Sequence, residues 1–173
     1  MPSKIIWLTG LSGSGKSTLS NSLKIFLKKK GYKVLQVDGD AFRKSKNYKK
    51  NFTKKTIKIN NINIIKFVKS KKNNYDIILV SVISPLRITR QFAKFFFKDN
   101  YFEIYVYCSL KILKKRDTKG LYAKADEKKI KNLIGYKSKI SYERSIYKVI
   151  SINTGKMNLI KSRNKILKKK NFK

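Results

Sequence analysis

The sequence predicts an α/β fold, a five-stranded parallel sheet flanked by helices on both faces, within one domain spanning 1–173. Three observations predict it. Five apolar runs of strand length recur along the chain, helical patterns separate them, and the first run opens straight into a glycine-rich turn that leads into a helix. At 173 residues the chain is long enough to bury a real core and short enough for one such unit.

The elements follow in order. Ile5-Ile6-Trp7-Leu8 reads as the first strand, and Leu19, Leu23, Phe26 and Leu27 then share one helix face that stops at Gly31. Val34-Leu35-Gln36-Val37 is the second strand, followed by a short loop carrying Asp38 and Asp40. Ile57, Asn61, Ile64 and Ile65 lead at helical spacing into Phe67 and Val68, and the run from Ile77 to Val82 is the third strand. Helical patterns at 87–98, 109–116 and 126–134 surround a fourth strand, Phe102 to Tyr107, and precede a fifth, Val149-Ile150-Ser151-Ile152. The end of the chain, about 156–170, alternates Lys with Met157, Leu159, Ile160, Ile166 and Leu167 and reads as a terminal helix. Runs without polar alternation are buried on both faces, which is the condition of a parallel sheet, and such sheets bind ligands at the carboxyl ends of their strands.

The formal charge of +35 points to polyanions, and non-specific nucleic-acid binding at low salt is expected. Lys outnumbers Arg heavily, is spread along the whole chain and comes with many Ile and Asn residues, a composition that A+T-rich coding DNA also produces. A lone cysteine, Cys108, has no disulfide partner and reads as buried and inert. No stretch reaches the roughly 18 apolar residues of a membrane span, so no membrane association and a cytoplasmic location are expected.

Gly10-Leu11-Ser12-Gly13-Ser14-Gly15-Lys16-Ser17-Thr18 satisfies G-x-x-x-x-G-K-[ST] in the strand-to-helix context that the motif requires, so the fold is that of a P-loop NTPase. Gly10, Ser12, Gly13, Ser14 and Gly15 form a nest of backbone N–H groups for ATP phosphates, and the helix N-terminus adds its dipole. Lys16 reaches the β- and γ-phosphates, Ser17 offers its hydroxyl to Mg²⁺, and Thr18 closes the motif. The chain lacks the base-reading N-K-x-D of a regulatory GTPase, and its third strand ends without an acid. The carboxylate on the Mg²⁺ side must therefore come from Asp38 or Asp40.

Four blocks in order carry a resemblance: Trp7 to Thr18, Asp38-Gly39-Asp40-x-x-Arg43, Ile83-Ser84-Pro85-x-Arg87-x-x-Arg90, and Arg116-Asp117-x-Lys119-Gly120-Leu121-Tyr122. From about Ile5 to Thr154 the chain resembles the adenylylsulfate (APS) kinases, which phosphorylate the 3′-hydroxyl of APS to give PAPS in sulfate assimilation. The resemblance implies ATP and Mg²⁺, Asp40 beside the acceptor hydroxyl and the metal as catalytic base, and Asp38 on the acceptor side or structural in the turn. It implies that Arg43 clamps the acceptor's anionic group, Phe52 stacks on its base, Asn60 binds it, and Ile83 and Ser84 wall it. Ser84 also stands where family descriptions place a phospho-intermediate, although the chain has no histidine to activate it. Lys119, Gly120 and Leu121 fall on a lid, with Lys119 neutralising the transferring phosphoryl group, Arg116 stacking on adenine, and Thr154 in the nucleotide loop; homodimers are common in the family.

The departures lie on the acceptor side. Thr56-Ile57 replace an Asp-Arg pair, Leu133-Ile134-Gly135 replaces Phe-Thr-Gly, and Tyr142-Glu143-Arg144-Ser145 keeps only part of Tyr-Glu-x-Pro. Two alternatives therefore stand beside APS kinase: a relative acting on another nucleotide-linked acceptor such as cytidine diphosphoramidate, and a nucleic-acid-binding protein with a vestigial P-loop.

Overall fold

The computed structural model describes residues 2–45 and 53–169. The elements are β1 (Lys4–Thr9), α1 (Lys16–Lys29), β2 (Val34–Asp38), α2 (Gly39–Ser45), α3 (Lys54–Lys71), β3 (Ile77–Ser81), α4 (Arg87–Phe97), β4 (Tyr101–Tyr107), α5 (Leu110–Arg116), α6 (Leu121–Asp126), β5 (Ile150–Asn153) and α7 (Leu159–Lys169). The five strands form one sheet in the order β2-β3-β1-β4-β5, with every neighbour parallel.

Strand periodicity divides the core. Ile6 and Leu8 of β1 pack with Leu19, Leu23, Leu27, Ile166 and Leu167 from α1 and α7, while Ile5 and Trp7 pack on the other face with Ile64, Ile65, Val68, Ala93 and Phe97 from α3 and α4. Both faces being covered is why the strands lack polar alternation. Truncating one such side chain, as in Leu23→Ala at 0% exposure, costs about 2–5 kcal/mol.

Local chemistry sets the helix starts. Thr53 accepts from the Thr56 backbone N–H while the Thr56 hydroxyl accepts from the Thr53 N–H, a capping box that starts α3. Asp38, the last residue of β2, accepts from the backbone N–H groups of Asp40 and Ala41, so the segment read as a loop continues into the short helix α2. The helix expected over 126–134 does not form. Lys128 and Asn132 take φ of +58° and +64°, in the left-handed region that breaks an α-helix. Leu133 and Ile134 then turn into different apolar clusters, the first with Leu113, Tyr122 and Ala125, the second with Ile57, Leu86 and Ile140. The terminal helix starts at Leu159 rather than near 156. Among the described residues no helix is long and apolar enough to cross a membrane.

Candidate active site

β1 sits in the middle of the sheet with β3 on one side and β4 on the other, so the crevice at its carboxyl end is where the P-loop emerges. Gly10, Gly13 and Gly15 adopt φ of +144°, +75° and +92°, and a Cβ on Gly10 would run into the Val106 carbonyl oxygen. Protein donors hold the loop from outside. The Tyr122 hydroxyl donates to Ser12 O at 2.9 Å, the Thr154 hydroxyl to Ser14 O at 2.8 Å, and the Thr9 hydroxyl to Ile83 O at 2.6 Å behind the loop. With the Ser12 and Ser14 carbonyls held by these hydroxyls, the loop is free to turn N–H groups toward an anion.

Lys16 at the start of α1 is buried and donates to Leu11 O at 2.7 Å. Burial, and then the facing charge of Lys119, bring its pKa down to about 7, with Asp38 pulling the other way. The Ser17 hydroxyl donates to Asp38 Oδ2 at 2.8 Å, and Asp38 Oδ1 takes the two N–H groups of α2, so this carboxylate is fixed against the P-loop. Asp40, two residues on, also lines the cavity and pairs with both Arg43 and Lys119. Burial lowers the pKa of Arg43, with Asp38 opposing the shift. Arg116 donates to Thr154 Oγ1 at 3.0 Å and to Thr154 O at 2.7 Å, joining the end of α5 to the loop after β5.

These groups share a cavity of about 470 Å³. Ser12, Gly13, Gly15, Lys16, Ser17, Thr18, Asp38, Asp40, Arg43, Ile83, Arg116, Lys119 and Thr154 line it. Gly10 and Ser14 belong to the loop but do not line the cavity. Gly120, at φ +60°, caps α6, and Leu121 packs beside Leu113 and Tyr122, so neither lines the cavity. Ser84 is not brought in either: at 1% exposure its hydroxyl lies 3.3 Å from that of Thr89. Asn60 is buried on α3, and its Oδ1 has no hydrogen-bond partner among the described residues. Phe52 lies outside the described residues. Cys108 is half-buried rather than buried and accepts a weak contact from Arg116 at 3.7 Å.

Met157, Asn158, Leu159 and Ser162 also line the cavity, although the sequence marks Met157 and Leu159 only as apolar positions of the terminal helix and the other two not at all. Their signal was topological: the segment after the last strand must leave from the same carboxyl edge as the P-loop. Tyr122 was visible only as a letter in a motif, and its grip on Ser12 required the fold.

The adenylylsulphate kinase family model matches residues 2–150. The chain belongs to that family. It is 42% identical over 133 residues to a probable adenylyl-sulfate kinase of Pyrococcus abyssi, covering 76% of this chain and 75% of that protein. An adenylyl-sulfate kinase of Prochlorococcus marinus is 41% identical over 154 residues, covering 88% and 76%. Among solved structures, the Mycobacterium tuberculosis APS kinase in complex with AMPPNP and APS superposes with a TM-score of 0.85 at 27% identity, covering 96% of both chains. A gluconokinase from Sinorhizobium meliloti, at 16% identity and a TM-score of 0.63, shares the fold alone. The residues at which this family member departs from the pattern have structural work here. Thr56 completes the capping box of α3, Ile57 packs with Ile134 and Ile140, and Leu133 packs with Leu113, Tyr122 and Ala125.

Proposed function

We propose that this family member is a working adenylyl-sulfate kinase, moving the γ-phosphoryl group of ATP to the 3′-hydroxyl of APS to give PAPS. The observation that carries the reading is one cavity lined both by Lys16 with the Ser17–Asp38 pair and by the Asp40–Arg43–Lys119 cluster. The first group suits nucleotide phosphates, the second an anionic acceptor.

Lys16 and the loop N–H groups hold the β- and γ-phosphates, while Arg116 and Thr154 bound the nucleotide side. Arg43 takes the acceptor's anionic group through its fork of donors, a task a point charge performs less well. Asp40 orients the acceptor hydroxyl and receives its proton as the oxygen bonds to the γ-phosphorus; the bond to the β–γ bridging oxygen breaks, and ADP leaves with that electron pair. Lys119, on the α5–α6 connection, offsets charge on the phosphoryl oxygens in transit. A hydroxyl and a carboxylate 2.8 Å apart fit Mg²⁺, which takes one or two protein ligands beside phosphates and water, so Ser17 and Asp38 would hold it and Asp40 would act on it through water. The ion would supply charge neutralisation for the phosphates.

The test is ADP release with Mg·ATP, with and without APS, at about 0.2 M salt to suppress polyanion artefacts. APS-dependent turnover that Asp40→Ala abolishes is the expected result. ADP release indifferent to APS, but stimulated by cytidine diphosphoramidate, would replace the acceptor and keep the kinase.

A further inference from the structure

Arg90 belongs to a motif block but has no part in the chemistry described above, and it is one of the largest fully buried side chains in the protein, at 0% exposure. Its guanidinium spends its donors in four directions. Nε donates to Glu103 Oε1 at 3.1 Å, Nη1 to Ser84 O at 2.6 Å, and Nη2 both to Glu143 O and to Ser145 Oγ, the latter at 3.3 Å. The ring of Tyr142 covers it, with Cζ 4.7 Å from the ring centroid. Glu103 is equally buried on β4 and also accepts from Ser145 and, at 2.6 Å, from the Tyr147 hydroxyl.

Neutralising Glu103 alone would not need this arrangement. A lysine would do that, but its three donors radiate from one nitrogen, whereas the three nitrogens of the planar fork reach a carboxylate and two carbonyls on separate segments at once. The carbonyls it holds belong to segments that form the acceptor side. Ser84 sits at φ +42°, in the left-handed region that a non-glycine residue adopts only when its surroundings hold it there. The preceding residue, Ile83, lines the cavity, and its carbonyl accepts from the Thr9 hydroxyl and from Gly10 N of the P-loop. On the other arm, Glu143 N donates to Pro85 O at 2.9 Å, and the Glu143 carboxylate accepts from Arg87 N at 2.7 Å at the start of α4. Leu86 and Ile140 from these two segments meet Ile57 and Ile134 in one apolar cluster, with Leu11 and Ile83 packed against it.

The geometry points to Arg90 as a positioning residue for the acceptor: paired with Glu103, it fixes the Ile83–Ser84 turn against the 143–145 segment and so sets the shape of the acceptor wall. This rests on the kinase reading. It also accounts for how a site with Ile57 in place of an arginine keeps a defined wall, since the order comes from behind the wall rather than from within it.

Arg90→Lys keeps the charge opposite Glu103 and removes the fork. The expected result is a folded protein whose KM for APS rises about tenfold or more while its KM for ATP stays within about twofold, because the P-loop holds its own carbonyl partners. Hydrogen exchange over residues 83–90 should accelerate in the same variant. A folded Arg90→Lys with wild-type KM for APS and unchanged exchange would overturn the proposal. Should that variant not fold, Glu143→Ala loosens the same segment from a half-buried position and is expected to raise the KM for APS about threefold; a wild-type value there overturns the proposal as well. Wild-type protein inert toward APS would sink the APS kinase reading instead. The exchange comparison then decides the positioning role without any acceptor.

Discussion

Burial and the charge of Lys119 bring Lys16 to about pKa 7, against an ordinary 10.5, and the shift has a sign that can be measured. Between those values the unfolded chain holds the proton and the folded protein does not, so this group makes folding more favourable as pH rises through the window. Nucleotide phosphates stabilise the charged ammonium and push its pKa back up. Mg·ATP binding at pH 8.5 should therefore take up close to one proton, read by calorimetry in two buffers of different ionisation enthalpy, and Lys16→Met should remove the uptake. The two aspartates separate in the same way. Asp38 is tied to Ser17 and the start of α2, while Asp40 pairs directly with Arg43 and Lys119. Asp38→Asn should raise the Mg²⁺ concentration for half-maximal rate about tenfold or more. Asp40→Asn should lower kcat about 100-fold and shift the Mg²⁺ dependence less than Asp38→Asn does.

Elements are where the sequence is most and least legible, and α3 shows both. Its apolar spacing gave the body of the helix, but the start depends on Thr53 and Thr56 exchanging hydrogen bonds, in a chain whose resemblance suggested an acid at 56. Thr53→Ala should cost about 1 kcal/mol and lower Tm by about 2–4 °C in a thermal melt, without changing the KM for ATP. The strands were legible because each is a continuous apolar run, a pattern set by burial on both faces. Residues 126–134 misled for a physical reason: Ile130, Leu133 and Ile134 have helical spacing, yet Leu133 and Ile134 serve two different clusters across a left-handed turn. The P-loop was legible because its contacts are local. The Tyr122 bond to Ser12, 110 residues apart in the chain, and the bonds from Arg90 to residues 143 and 145 depend on tertiary placement and leave no local trace.

Across the whole molecule, 44 basic residues face nine acids, and the positions of those nine explain how so unbalanced a chain holds its fold. Asp38, Asp40, Asp76, Glu103, Asp117, Asp126, Glu127 and Glu143, eight of the nine, each accept a hydrogen bond or an ion pair at a turn, a helix start, a buried arginine or the site itself. Asp126 alone gathers Lys114, Lys137 and Tyr136, which hold its carboxyl far below the usual range. With the acids so engaged, the remaining lysines repel one another over distances that salt screens, about 8 Å at physiological ionic strength. Net repulsion and local pairing predict opposite responses to salt. If repulsion dominates, Tm rises by several degrees between about 0.05 and 0.5 M NaCl; if the exposed pairs dominate, it falls. The charge count favours the rise. The same field draws two anionic substrates toward the cavity, so kcat/KM for APS should fall over that range while kcat changes little, because steering acts on encounter and not on the transfer step. A rise in Tm paired with a fall in kcat/KM is the expected signature, measured by thermal melts and initial rates in the same salt series. A salt-independent kcat/KM would mean that the net charge of +35 does nothing for substrate capture.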